Sequence, residues 1–379
     1  MNWLDLVVTC AFGLEAVVRR ELEALGFAET RVSDGRVEFR GARKDIPLLN
    51  LWLRSADRVL IKLAEFPAID FDQLYDGTSA VPWEAWLPAD AKMTVDGKSV
   101  RSILASVRSC QSIVKKAMVE RLKERLAVAL LPETGAEFTV LVSLLNDTAQ
   151  LTLDTTGPGL NKRGYRLDSG DAPLRETLAA ALVQLSFWER ERVLLDPMCG
   201  SGTILIEAAM IARNMAPGLA RTFASERWPL MEASLWEEAR AAARTAMLPS
   251  GGLRITGSDM DPRMVEAARA NAKRAGVQDD IVFECRNVTD LKLSSPYGVL
   301  VTNPPYGIKL GRPEDLSPLY SAFDRALKPM KGWSVYVITA DKKFPDAFTR
   351  AKPDRIRKLF NGTIEANYYQ YYGERPPRD

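Results

Sequence analysis

One short stretch limits the fold of this chain more than any other: Asp196-Pro197-Met198-Cys199-Gly200-Ser201-Gly202-Thr203. It follows the apolar run Val193-Leu194-Leu195 and precedes Ile204-Leu205-Ile206-Glu207-Ala208-Ala209, which predicts a strand, a glycine turn and a helix N-terminus. Gly200 and Gly202 permit positive φ and a close approach of ligand to backbone, and the first N–H groups of the helix point at any carboxylate placed there. Such a turn suits a nucleotide-like ligand, and an ordinary βα turn shares its outline. A second stretch, Asn303-Pro304-Pro305-Tyr306, follows the buried-strand run Gly298-Val299-Leu300-Val301-Thr302. That puts it at a strand's carboxyl end, where open α/β sheets bind ligands.

With a strand before each and in this order, the two stretches resemble motifs I and IV of the S-adenosylmethionine-dependent amino-methyltransferases, the class carrying Asn/Asp-Pro-Pro-Tyr/Phe. The resemblance implies an α/β fold with a Rossmann-like, seven-stranded methyltransferase domain and S-adenosyl-L-methionine as cofactor. Gly200 and Gly202 would bring backbone N–H groups to the methionyl carboxylate, and Asp196 would accept from the ammonium group. Asp259 closes the strand Ile255-Thr256-Gly257-Ser258, where a carboxylate accepts both ribose hydroxyls. Asn287 stands where most relatives carry aspartate and would pair with adenine through its amide. Pro197, Thr203, Met260 and Val288 adjoin these positions and belong to the same expected cofactor site. Asp261 reads as the N-cap of a helix opening at Pro262 rather than as a ligand. Asp259 lies more than twice as far beyond Gly202 as the roughly 20 residues of a minimal dinucleotide unit, so a helical insertion over 214–247, with Phe223, Trp228 and Trp236, is expected.

Upstream, Leu6-Val7-Val8-Thr9-Cys10 reads as a strand, Leu14, Val17, Val18, Leu22 and Leu25 as a helix face, and 32–39 as a returning strand, a βαβ start. A helix over 46–54 and a strand over 59–63 complete a small α+β module. Trp83 and Trp86 suggest a loop packed on a core. Strands over 92–100, 138–145 and 150–153 flank a helix from Ser109, and Asn146-Asp147 marks a hairpin turn. This region leads into Gly159-Leu160-Asn161-Lys162-Arg163-Gly164-Tyr165-Arg166, and the whole resembles a THUMP domain preceded by a ferredoxin-like piece. In THUMP-bearing methyltransferases a Leu-His-Lys-Arg-Gly-Tyr-Arg element commonly joins the halves; here Asn161 replaces the histidine. The expected layout is a ferredoxin-like module at 1–65, a THUMP-like RNA-binding domain at 66–157, a basic linker at 158–171 and the methyltransferase domain at 172–379. Lys162, Arg163, Tyr165 and Arg166 could pair with phosphates and stack on a base. The alternative is a tether whose cations meet carboxylates such as Asp168 and Asp171.

Composition narrows the chemistry. No histidine occurs, which removes it as general base, metal ligand or triad member. The four cysteines make no CxxC pair, so no metal site or disulfide framework is expected and a reducing cytoplasm is the simplest setting. No stretch approaches 18 apolar residues, so no membrane partner is expected. Lys+Arg 51 against Asp+Glu 49 leaves +2, so any nucleic-acid footprint must be local.

Motif IV supplies the acceptor chemistry. An exocyclic base amine is a poor nucleophile because its lone pair is delocalised into the ring. Asn303 Oδ1 and the Pro304 carbonyl would accept its N–H protons, held rigidly because proline fixes φ and restricts its neighbour. Tyr306 would stack on the base. The chain layout resembles the family that methylates the guanine 2-amino group in 23S ribosomal RNA; relatives of the same layout act on tRNA guanine. The expected partner is structured RNA. An adenine-N6 DNA methyltransferase and a non-catalytic RNA-binding assembly factor remain as rivals.

Overall fold

The computed structural model describes residues 3–166, 174–291, 295–305, 308–309, 312–313, 315–328, 332–349 and 351–374. The N-terminal half is built on β1 (Trp3–Thr9), α1 (Glu15–Ala24), β2 (Thr30–Ser33), β3 (Arg36–Ala42), α2 (Asp45–Trp52) and β4 (Arg58–Pro67), then α3 (Phe71–Ser79), β5 (Lys92–Val100), α4 (Val107–Leu126), β6 (Glu137–Leu145) and β7 (Thr148–Asp154). These seven strands form one sheet in the order β2-β3-β1-β4-β7-β6-β5. The expected single strand over 32–39 is instead a hairpin folded at Asp34-Gly35, where Gly35 takes φ +70°. The βαβ start is corrected with it, since β1 runs antiparallel to both neighbours, β3 and β4. Because β4 pairs with β1 on one edge and β7 on the other, the ferredoxin-like and THUMP-like pieces share a continuous sheet.

Sequence periodicity missed α3, a polar helix that starts where Asp70 accepts from the Gln73 N–H at 2.8 Å. Trp83 is fully buried and donates from Nε1 to the Thr78 carbonyl, as a core-packed loop requires. At Asn146-Asp147 both residues take positive φ, the geometry of a two-residue hairpin turn whose twist matches the strands it joins.

The C-terminal half runs α5 (Glu176–Leu185), β8 (Leu194–Asp196), α6 (Thr203–Ala212), α7 (Ala233–Thr245), β9 (Ile255–Asp259), α8 (Pro262–Ala275), β10 (Ile281–Cys285) and β11 (Tyr297–Thr302). A small ribbon of β12 (Ile308–Lys309) and β13 (Arg312–Pro313) follows, then α9 (Ser317–Leu327), β14 (Gly332–Thr339), α10 (Phe344–Ala347), β15 (Arg355–Asn361) and β16 (Ile364–Tyr371). The second sheet has the order β10-β9-β8-β11-β14-β16-β15. Its first five strands are parallel and the closing hairpin is antiparallel. From β8 the chain builds outward through β9 and β10, then returns to place β11 on the other side. The crevice at the carboxyl ends of β8 and β11 is therefore a topological switch point.

The insertion over 214–247 contains α7 and docks on the N-terminal half. Trp228 stacks on Phe138 of β6, with ring centroids 4.7 Å apart, and its indole N–H donates to the Glu137 carbonyl at 3.0 Å. Ser225 adds a hydrogen bond to the Thr155 carbonyl. Among the described residues no helix is long and apolar enough to cross a membrane.

Candidate active site

The switch-point crevice encloses about 500 Å³. Asp196, Pro197, Gly200, Thr203, Asp259, Met260, Asn287, Val288 and Asn303 all line it. Parallel pairing of β8, β9 and β11 gathers Asp196, Asp259 and Asn303 at neighbouring strand ends, although long segments separate them in the chain. Leu174, Met198, Met264, Pro305 and Leu319 also contribute to the wall. They were not selected from the sequence, because apolar residues at loop and helix starts carry no distinguishing signal. Pro304 is buried beside the cavity, and Tyr306 lies outside the described residues.

The two glycines differ in use. A Cβ on Gly200 would meet nothing within 4 Å, whereas one on Gly202 would lie 3.0 Å from the Ala268 Cβ and 3.1 Å from the Phe283 ring. Gly202 therefore lets α6 approach α8 and β10, and it does not line the cavity. Both amides are also engaged: Gly200 N–H donates to Asp259 Oδ2 at 3.0 Å, and Gly202 N–H to the Cys199 carbonyl at 2.9 Å. In this structure both N–H groups therefore have partners within the protein. They shape the loop and latch it to β9, assisted by a bond from the Cys199 N–H to the Ser258 carbonyl.

Asp196 is enclosed, and its Oδ1 accepts from the Thr302 hydroxyl at 2.7 Å and the Met198 N–H at 3.2 Å. Burial pushes its carboxyl up to about 7; these two donors oppose the shift and the negative charge of Asp259 adds to it. A cation brought to this cavity would meet a carboxyl that ionises readily on its arrival. Asp259 holds the loop from its other oxygen too, accepting from the Asp261 N–H at 3.0 Å. Asp261 caps α8 through the Arg263 N–H at 2.9 Å, as its position before Pro262 predicts. Asn287 Oδ1 accepts from both the N–H and the hydroxyl of Thr289, at 3.0 and 3.1 Å, leaving its amide N–H groups as the part suited to a ring nitrogen. Val288 is buried and Met260 is 69% exposed, so together they offer an apolar wall and an apolar flap.

Asn303 shows the sharpest feature. Its Oδ1 is buried and has no hydrogen-bond partner among the described residues. An orphaned buried acceptor costs about 1–3 kcal/mol and calls for a specific explanation, a catalytic role among them; Glu207 Oε2 is also unpaired among the described residues, but only Asn303 lines the crevice.

A model of the RMKL-like methyltransferase domain matches residues 163–370, more than half of the chain. The chain belongs to this methyltransferase family. The RlmL ferredoxin-like domain matches 5–60 and the THUMP domain 68–154. The chain is 47% identical to YpsC of Bacillus subtilis, which bears the provisional name of an RNA methyltransferase, over 100% of this chain and 98% of that one. It is 37% identical to the ribosomal RNA large subunit methyltransferase K/L of Aliivibrio fischeri, over 94% of this chain and 52% of the relative, so it spans about half of that protein. Among solved structures, SMU.472, crystallised with S-adenosylhomocysteine (SAH), is 42% identical with a TM-score of 0.92 and full coverage of both chains. A Listeria monocytogenes protein provisionally described as an N6-adenine-specific DNA methylase is 46% identical, also at a TM-score of 0.92, covering 99% of this chain and 97% of that one. This member of the RMKL-like family is a methyltransferase that carries a THUMP domain.

In this RMKL-like chain the linker faces largely inward. Of the four residues expected at the RNA, Lys162 is exposed, while Arg163 and Tyr165 are buried. Arg163 donates to the Leu160 and Arg54 carbonyls and pairs with Glu207 of α6 at 3.4 Å. Tyr165 donates its hydroxyl to the same Glu207 at 3.0 Å. Arg166 pairs with Glu176 of α5 at 3.1 Å. Burial withdraws Arg163 and Tyr165 from any RNA surface: their polar atoms bind α6, the helix that follows the glycine loop. The tether alternative describes them better, with Glu207 and Glu176 as the carboxylates; Asp168 and Asp171 lie outside the described residues. From the Tyr165 carbonyl the contacts continue to Arg274 Nε at 2.7 Å, from Arg274 to Asn271, and from Asn271 Nδ2 to the Ser201 carbonyl at 3.0 Å.

Proposed function

We propose that this chain methylates the exocyclic 2-amino group of a guanine in 23S ribosomal RNA. The observation that carries the reading is the orphaned Asn303 Oδ1, a buried acceptor at the mouth of a cavity whose other groups suit S-adenosylmethionine. In this reading residues 1–157 hold RNA, 158–171 tether the halves and 172–379 perform the chemistry. Asp196 takes the ammonium group, Asp259 the ribose hydroxyls, and Asn287, Val288 and Met260 the adenine, with Pro197 and Thr203 shaping the methionine end. The cofactor fits on chemistry: two carboxylates for its polar groups and an apolar wall for its ring.

When bound, the cofactor supplies an electrophilic methyl group on a sulfonium. Asn303 Oδ1 and the Pro304 carbonyl accept the two amine protons, which localises the nitrogen lone pair and stabilises the positive charge that develops on it. Tyr306 stacks on the base and holds it in line. No strong general base acts before attack, consistent with a chain that has no histidine, and the surplus proton leaves afterwards to water. The K/L relative's name and the THUMP domain support ribosomal RNA over DNA. The Listeria protein's description favours the adenine-N6 DNA reading, and tRNA guanine is the nearer alternative. Incubation with labelled cofactor and separate pools of rRNA, tRNA and DNA, followed by mass spectrometry of the nucleosides, separates all three. N2-methylguanine arising from large-subunit rRNA is the expected product, and N6-methyladenine in DNA would overturn the proposal.

A further inference from the structure

We propose that the RNA strand flanking the target nucleotide leaves the catalytic cavity over Arg175 and enters a second, cationic cleft at the junction of the two halves. This rests on the RNA reading above. The cleft measures about 570 Å³ and is walled by the polar face of the N-terminal sheet, the linker and the start of the methyltransferase half. Leu174 lines the cofactor cavity and Arg175 lines the cleft, so the two share a rim one residue wide. Arg175 is fixed there, its N–H donating to Asn361 Oδ1 at 3.1 Å while the guanidinium side chain remains 45% exposed.

Charge favours a polyanion. Arg58, Lys98, Lys162 and Arg175 line the cleft against two carboxylates, Asp57 and Asp96. Arg58 is already held by Asp154, and Arg175 meets Asp57 only at 3.9 Å. Neither Lys98 nor Lys162 makes an ion pair among the described residues. Lys98 is open to the cleft yet deep enough between its walls that desolvation, then the Arg36 charge, lowers its pKa. An approaching phosphate reverses that penalty. Lys162 also borders a further shallow basin lined by Arg221, Arg240 and Arg244, in which Glu226 pairs with Arg240 and Arg221 is held by the Gly159 and Pro158 carbonyls, so that Arg244 carries the cationic path outward. The cleft volume falls within the roughly 300–1,000 Å³ of sites that hold single small ligands. That suits a splayed single strand, the form in which RNA bases are reached.

The test uses the full chain and the RNA that the wild-type protein methylates. Lys98→Gln, Lys162→Gln and the double variant should keep the wild-type melting temperature and cofactor Kd. They should raise the KM for RNA and make the slope of log K against log salt shallower by about 0.7 per lysine. A 4-thiouridine placed beside the target nucleotide should crosslink to peptides holding Lys98 or Lys162. Wild-type KM and salt slope in the double variant, or crosslinks confined to other surfaces, overturn the cleft while leaving the RNA reading intact. A wild-type protein that methylates no RNA overturns that reading and the cleft with it.

Discussion

The Thr302 hydroxyl donates to the Asp196 carboxyl across 2.7 Å, joining the ends of the two central strands inside the protein. It couples motif I to the residue immediately before motif IV. It also opposes the burial that pushes Asp196 up to about 7. Thr302→Val keeps the shape and removes the donor, so Asp196 should ionise less readily. Losing a hydrogen bond to a charged group should weaken cofactor binding at pH 7 by about 1.5–3 kcal/mol, with affinity recovering at higher pH. Isothermal titration from pH 6 to 9 measures this, and identical profiles for variant and wild type would remove Thr302 from the site.

The same carboxyl sets a stability trend. Its folded pKa of about 7 lies above the ordinary value of 3.8, so between these pH values the folded protein holds the extra proton. The stability contributed by this group is greatest below the ordinary value, declines as pH rises through the window and is gone above about 7. Asp196→Asn should therefore leave the unliganded protein at least as stable as wild type at pH 8 while abolishing cofactor binding. A marked loss of melting temperature at that pH would contradict the assignment.

Asp259 serves the loop and, in the proposed site, the ribose. Asp259→Ala removes both oxygens at once and should weaken cofactor binding by about 1.5–3 kcal/mol. Unchanged affinity by calorimetry would displace Asp259 from the cofactor.

Asn303→Ala should leave cofactor affinity nearly intact and slow single-turnover methylation by roughly 10²–10³, the typical effect of losing one preorganised polar contact. Tyr306→Ala should raise the KM for RNA, since a stacked base contributes about 1–3 kcal/mol, whereas Tyr306→Phe should be mild. Wild-type turnover in Asn303→Ala would exclude amine activation by that oxygen.

Glu207 is fully buried between Arg163 and Tyr165. Glu207→Ala strands the Arg163 charge and should cost about 3–5 kcal/mol of stability, read by denaturant unfolding. A loss in RNA salt dependence with no change in stability would instead return the linker arginine to an RNA-facing role.

Local chemistry was legible in the sequence. Apolar runs ending in Asp196, Asp259 and Asn303 placed these side chains at strand ends, because a strand's period and its terminating turn are local properties. The Asp261 cap was legible for the same reason. What a group faces is not local. The sequence shows Arg163 as one more cation in a basic linker, and only packing against α6 reveals it turned inward. The single strand expected over 32–39 divides because Asp34-Gly35 can fold back and pair β2 with β3, a choice fixed by the sheet that receives it. Thr302 carries no motif signal, and its role exists only because β8 and β11 are neighbours. The sequence by itself determined the residue types and strand ends that line the crevice, since these are properties of local pattern along the chain. Tertiary structure decided which donors were already engaged and left the Asn303 acceptor in the crevice unpaired among the described residues, because hydrogen-bond partners are assigned by contacts between segments far apart in the chain.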